Sequence, residues 1–160
     1  MGIKDGEHPL GDAGQLVLLI VFLIVWVGDS FFLHKSTFLS VYVPLSVRLV
    51  LLMIVAIFAI SLIQAGHAVI HVGEPSQDLI TSGAFKFVRH PLYLGCLLLY
   101  LGLVFSTLSI ISLIVFGGIF IFYNYIATYE EKYLEEKFHA EYTTYKEKTQ
   151  KWVPRIKYPR

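Results

Sequence analysis

Ser82-Gly83-Ala84-Phe85-Lys86-Phe87-Val88-Arg89-His90-Pro91-Leu92-Tyr93-Leu94-Gly95 interrupts an otherwise apolar chain, and the architecture follows from how that interruption is understood. Upstream, no Lys, Arg, Asp or Glu occurs between Leu49 and Gly73. Downstream, none occurs between Pro91 and Tyr129. A cationic, polar cluster wedged between two such runs reads as a connection at a membrane face. Pro91 is well placed to open a helix, because no intrahelical N–H bond is lost at a first helical position. Proline also biases the residue before it away from helical backbone, so His90 is expected just outside the helix mouth. The N–H groups of that first turn then remain available to a ligand.

Composition agrees with a bilayer setting. The chain has 160 residues, 56% hydrophobic and 16% charged, well below the charge content of soluble domains. Of the 25 charged residues, 14 lie from Glu130 onward, which describes a membrane body with a wet tail. The net charge of +1 says little about partners, but the absence of a long basic run or an aromatic-basic pattern speaks against nucleic acid. The single cysteine, Cys96, has apolar neighbours and reads as a small core hydrophobe. The first residues carry Asp5, Glu7 and Asp12 beside Lys4 and lack a signal-peptide pattern, so the first apolar segment is expected to be a retained span.

The expected fold is all-α and polytopic, one membrane-embedded domain over residues 1–160. Spans are expected at about 16–33, 45–66, 91–105 and 109–129, the last two forming a short hairpin. An amphipathic helix at about 130–149 follows, with Leu134, Phe138, Tyr142 and Tyr145 on one face. Asp29 falls late in the first span, either near the interface or against a polar partner within the bundle. Gly95 and Gly102, and Gly117 and Gly118, are candidates for close helix contact. His67 and His71 share a face if the second helix continues past Gly66, but lack a third metal ligand, and no metal is expected.

Charge counting sets the topology. With the tail in the cytoplasm, four crossings return the N-terminus to the same side. Eleven of the 13 Lys and Arg residues then lie inside, leaving only Lys35 and Arg48 outside. The same count brings residues 82–90 beside Glu130 and Glu131. Arg89, His90, Tyr93 and free backbone donors would face two carboxylates at one membrane surface. Such a cluster is either a functional pocket or a structural lock in which Arg89 pins the tail.

These residues resemble the isoprenylcysteine carboxyl methyltransferase and phospholipid methyltransferase superfamily. Arg89-His90-Pro91-Leu92-Tyr93-Leu94-Gly95 is similar to its Arg-His-Pro-x-Tyr-x-Gly signature. Glu130-Glu131, then Leu134, Phe138, Glu141-Tyr142, Tyr145 and Trp152-Val153-Pro154, extend the resemblance over about residues 76–154. The resemblance implies an integral membrane methyltransferase that uses S-adenosyl-L-methionine at the cytoplasmic end of its last helices and meets a lipophilic substrate and lipids in the bilayer. Such an enzyme would lie in the cell membrane of a prokaryote or the endoplasmic reticulum of a eukaryote. It places the cofactor at Gln77, Asp78, Leu79, Ile80, Phe85, His90, Pro91, Leu92, Tyr93 and Glu130, and catalysis at Arg89, His90, Glu130 and Glu131. Prenylcysteine enzymes of this kind carry an arginine four residues before the first glutamate, where this chain has Ile126. The acceptor therefore stays open between an isoprenylcysteine carboxylate and an amine, thiol or phospholipid headgroup. A non-catalytic membrane scaffold is the alternative of another class.

Overall fold

The structure, a computed structural model, describes residues 11–72 and 79–154. Four helices carry the fold: α1 (Gly11–Val27), α2 (Leu45–Val72), α3 (Pro91–Thr107) and α4 (Ile110–Lys148). Three helical stretches are long and apolar enough to cross a membrane, Ala13–Leu33, Leu45–Ala68 and Ile110–Lys148. This is a membrane protein of all-α class. α3 is apolar and has 17 residues, longer than its expected extent but shorter than those three stretches.

The helices alternate in direction, and their contacts define two ends. Gly14 of α1 approaches Phe122 of α4, while Asp29 after α1 reaches Ser109 before α4. Gly95 of α3 lies against Ala59 and Ile63 of α2, and Gly102 against Leu52 and Val55. A Cβ on Gly95 would fall 2.5 Å from Ile63 Cγ1 and 2.9 Å from the Ala59 carbonyl oxygen, so this contact requires glycine. Gly117 and Gly118 differ from expectation: nothing lies within 4 Å of a Cβ built on either. The core joins α1, α3 and α4 through Phe22, Leu97, Tyr100, Val104, Ile119 and Tyr123. Cys96 packs against it, half-buried.

At the end away from the tail, α1 passes into a π-helical turn, Gly28–Leu33. Asp29 is buried there and takes the second of its two expected settings, a polar partner within the bundle. Its carboxylate accepts the Ser36 and Ser109 hydroxyls at 2.5 and 2.6 Å, and the Lys35 and Ser36 backbone N–H groups at 3.1 Å. Both hydroxyl oxygens accept in turn from α4's first turn, Ser36 from the Ile111 N–H and Ser109 from the Ser112 N–H. Arg48 donates to the Ser106 carbonyl at 2.8 Å and satisfies the end of α3.

One boundary departs from the sequence reading, and one helix, continuous as expected, carries an unexpected break. α2 runs to Val72 rather than 66, so His67 and His71 do lie on one continuous helix. α4 absorbs both the last span and the amphipathic segment, but it breaks at His139, where φ is 44° and ψ −116°. That break redirects the last turns, and Tyr142 and Tyr145 become buried. Tyr145 donates its hydroxyl to the Phe85 carbonyl at 2.7 Å, tying the tail to the 3-10 turn Gly83–Lys86.

Candidate active site

His90 is the N-cap of α3, with φ −124° and ψ 66°, and Pro91 opens the helix as expected. The His90 side chain does not cap the first turn. It turns instead toward α4. Its Nε2 lies 3.1 Å from Glu131 Oε1, and Nδ1 lies 3.7 Å from Glu130 Oε2. An ionised carboxylate cannot donate, so the Nε2–H bond belongs to His90. Burial pushes the His90 imidazole below its ordinary pKa, although the adjacent Glu131 carboxylate pulls the other way. The ring is therefore neutral at physiological pH, with its proton committed to Glu131.

Glu131 is the hub. Arg89 donates from Nε to Oε1 at 2.9 Å, and the Lys151 ammonium lies 3.4 Å from Oε2. Arg89 also donates to the Thr149 carbonyl, and its backbone N–H reaches the Gln150 carbonyl at 3.0 Å. The side chains of Arg89 and Glu131 are 10% and 6% exposed, so the pair is nearly dry. Arg89 thus binds the loop before α3, the body of α4 and the returning tail into one unit.

Glu130 stands one residue earlier and has a different setting. Tyr93 donates its hydroxyl to Glu130 Oε1 at 2.5 Å. The Tyr93 ring stacks parallel to His90 at 5.7 Å and meets Tyr123 edge-on at 5.5 Å. The result is a carboxylate, 20% exposed, at the edge of an aromatic wall. Near it are first-turn N–H groups of α3 that its N-cap side chain leaves uncapped.

Of the residues implied by resemblance, the structure brings His90, Tyr93, Glu130, Arg89 and Glu131 together. Pro91 and Leu92 are adjacent at the mouth of α3, where both approach Gly66 of α2. Leu79 and Ile80 are half-buried in the irregular stretch before the 3-10 turn, and Phe85 is half-buried within it. Gln77 and Asp78 lie outside the described residues. Among the described residues no three His, Cys, Asp or Glu side chains gather as a metal site.

The sequence reading missed the tail after α4. Residues 149–152 return to the site, and Val88 pairs with Gln150 in a single parallel bridge. Lys151 donates to Thr128 Oγ1 at 2.9 Å. Trp152 donates from Nε1 to Asn124 Oδ1 at 3.2 Å, and its ring lies 5.9 Å from His90 and 5.8 Å from Phe120. The one available signal was Trp152-Val153-Pro154, an aromatic-apolar run ending a charged tail.

A helical membrane protein with a buried Arg–Glu–His cluster at one end of its last two helices is the class that fold and site define. Residues 43–141 match the family model described as phospholipid methyltransferase, which is more than half of the chain. The chain belongs to that family, whose chemistry calls for a methyl donor. It is similar to the protein-S-isoprenylcysteine O-methyltransferase of Saccharomyces cerevisiae, 34% identical over 99 residues, covering 58% of this chain and 41% of that protein. The Schizosaccharomyces pombe protein of the same name is 29% identical over 101 residues, covering 60% of this chain and 43% of the relative. Protein-S-isoprenylcysteine O-methyltransferase B of Arabidopsis thaliana is 30% identical over 99 residues, covering 59% and 50%. The matched region thus spans half or less of each relative.

The donor set suits S-adenosylmethionine. That molecule combines an ammonium, a carboxylate, a sulfonium and an adenine. Glu130 offers a carboxylate, α3 offers uncapped N–H groups, and Tyr93 offers an aromatic face.

Proposed function

We propose that this chain is an S-adenosylmethionine-dependent methyltransferase acting on a lipophilic acceptor, with an isoprenylcysteine carboxylate the acceptor favoured. The observation that carries the reading is the placement of Glu130 beside Tyr93 and His90 at the mouth of α3. The names of the relatives and the family support the same chemistry. The charge asymmetry supports a site facing the cytoplasm, in the cell membrane of a prokaryote or the endoplasmic reticulum of a eukaryote.

S-adenosylmethionine bound there would supply an electrophilic methyl group on a sulfonium. Glu130 would hold its ammonium, and the N–H groups of Leu92 and Tyr93 its carboxylate. Tyr93 would pack against the cation or the adenine. Arg89 and Glu131 act as positioning residues: they fix His90 and hold the tail over the site. The apolar helices keep water from competing as a nucleophile. Leu79, Ile80 and Phe85, with Gln77 and Asp78, would complete the adenosine side through backbone and apolar contacts.

Isothermal titration of the protein in nanodiscs with S-adenosylmethionine tests this. Binding at micromolar concentration is expected, with loss of about tenfold or more in Glu130→Gln, the cost of removing a charge-assisted contact. No heat from the wild-type protein, with or without lipophilic acceptor, would refute the reading. An amine, thiol or phospholipid headgroup acceptor is the second reading, favoured by the lack of any cation on α4 before Lys132.

A further inference from the structure

One stripe of α4 is graded in polarity. Phe120, Asn124, Thr128 and Glu131 follow at helical spacing, so an apolar ring, an amide, a hydroxyl and a carboxylate succeed one another along one face. The tail covers this stripe in register. Trp152 meets Phe120 and Asn124 on the membrane side, and Lys151 meets Thr128 and Glu131 toward the water. Trp152 also stands beside His90, so the covered stripe borders the candidate active site.

The Lys151 side chain is 18% exposed, far less than a tail lysine in solution. One N–H of its ammonium is used by Thr128 at 2.9 Å, and a second faces Glu131 at 3.4 Å. The third has no acceptor among the described residues. Arg89 and Lys151 together bring two positive charges to Glu131's single negative one, while His90 stays neutral. Glu130 is the balancing carboxylate of the cluster. Once Glu130 is engaged with a cofactor ammonium, one positive charge on the Lys151 side is left to be neutralised.

We propose that Lys151, returned to α4 by the tail, holds the carboxylate of an amphiphilic methyl acceptor whose apolar chain lies along Phe120 and Trp152. This rests on the methyltransferase reading above and names the acceptor class and the residue that selects it. Methylation of a carboxylate forms a C–O bond as the donor's C–S bond breaks, the electron pair stays on sulfur, and no proton is released. A carboxylate acceptor therefore asks for a charge partner, whereas a thiol or ammonium acceptor must also give up a proton.

The test uses the full chain in nanodiscs, with Lys151→Gln and Lys151→Arg. Acceptor affinity is read by calorimetry on protein saturated with S-adenosylhomocysteine, using N-acetyl-S-farnesylcysteine. Its uncharged amide is the control ligand, and farnesyl thiol is the control acceptor for turnover. Lys151→Gln is expected to weaken the carboxylate ligand and raise its KM by about ten- to a hundredfold, the scale of a lost charge-assisted hydrogen bond. S-adenosylhomocysteine affinity, amide binding and thiol turnover should stay within about twofold, and Lys151→Arg should recover most of the loss. Equal losses for charged and uncharged ligands would reduce Lys151 to a pin for the tail and overturn the proposal. So would an unchanged carboxylate KM, or cofactor binding with thiol turnover but no carboxylate binding in the wild type. Those outcomes leave the methyltransferase reading standing, whereas absence of cofactor binding in the wild type removes both.

Discussion

Arg89 Nε donates to Glu131 Oε1 at 2.9 Å across 42 residues of sequence, and this contact fastens the loop before α3 to the last helix. Both side chains are nearly dry, so each charge depends on the other. Removing one partner from a buried pair costs about 3–5 kcal/mol, because the survivor is left uncompensated. Arg89→Ala should therefore lower the melting temperature sharply and release the tail, since Thr149 and Gln150 lose their anchor with it. Glu131→Gln should cost at least as much: its amide oxygen can still accept from Arg89, but Arg89 and Lys151 then lose the counter-charge they share. The pair of melts, with limited proteolysis of the tail, checks this. An Arg89→Ala variant that melts like wild type would mean the pair is not the lock.

Gly95 and Gly117 give a contrast within one fold. A methyl group on Gly95 would meet Ile63 at 2.5 Å and, less forgivingly, the Ala59 backbone oxygen at 2.9 Å. α2 and α3 must then separate, and overpacking of this kind costs about 1–3 kcal/mol. On Gly117 the same methyl meets nothing within 4 Å, and alanine gains about 1 kcal/mol in a helix interior. Gly95→Ala should lower the melting temperature in detergent while Gly117→Ala leaves it equal or raises it.

The sequence made α2, α3 and the start of the site legible for local reasons. Long charge-free runs demand helices in a bilayer, and Pro91 fixes both a helix start and the backbone of His90. Charge counting even placed residues 82–90 near Glu130. The role of Lys151 was not legible, because it reads like any solvated tail lysine. Its position depends on the break at His139, a residue with no turn chemistry to announce a positive φ. Asp29 was ambiguous for a different reason: its partner Ser109 is 80 residues away, and serine at a turn is commonplace. Gly117 and Gly118 misled, because small residues on a helix in lipid show what is permitted, not what is used.

His90 sets the direction of a pH dependence. Its pKa is depressed in the folded protein, chiefly by burial, so below about pH 6.5 the unfolded chain binds a proton that the folded one resists. Stability contributed by His90 is present above that pH and is lost as pH falls toward its folded value. Thermal melts between pH 7.5 and 5 should show falling stability, and His90→Asn should flatten part of that slope while lowering stability at pH 7.5. A wild-type melt that rises on acidification would mean the imidazole is charged in the folded state and that Glu131, not burial, governs it.

Asp29, in the turn after α1, acts on the start of α4, at the end of that helix away from the active site. Its Oδ2 accepts the Ser36 and Ser109 hydroxyls, leaving both hydroxyl oxygens to accept from the Ile111 and Ser112 N–H groups at the start of α4. The carboxylate thereby orients two serines that cap a helix. Asn at this position puts an NH₂ donor where one or both hydroxyl donors now end. With Asn, a serine must turn away and uncap α4, or a buried donor goes unpaired, at a cost of about 1–3 kcal/mol. Asp29→Asn should therefore destabilise the protein, and Ser109→Ala should do so by a similar amount. The double variant should cost less than the sum, because both remove one network. Additive losses in a double-mutant cycle would show that Asp29 and Ser109 act separately, and that the first and last spans are not joined through this relay.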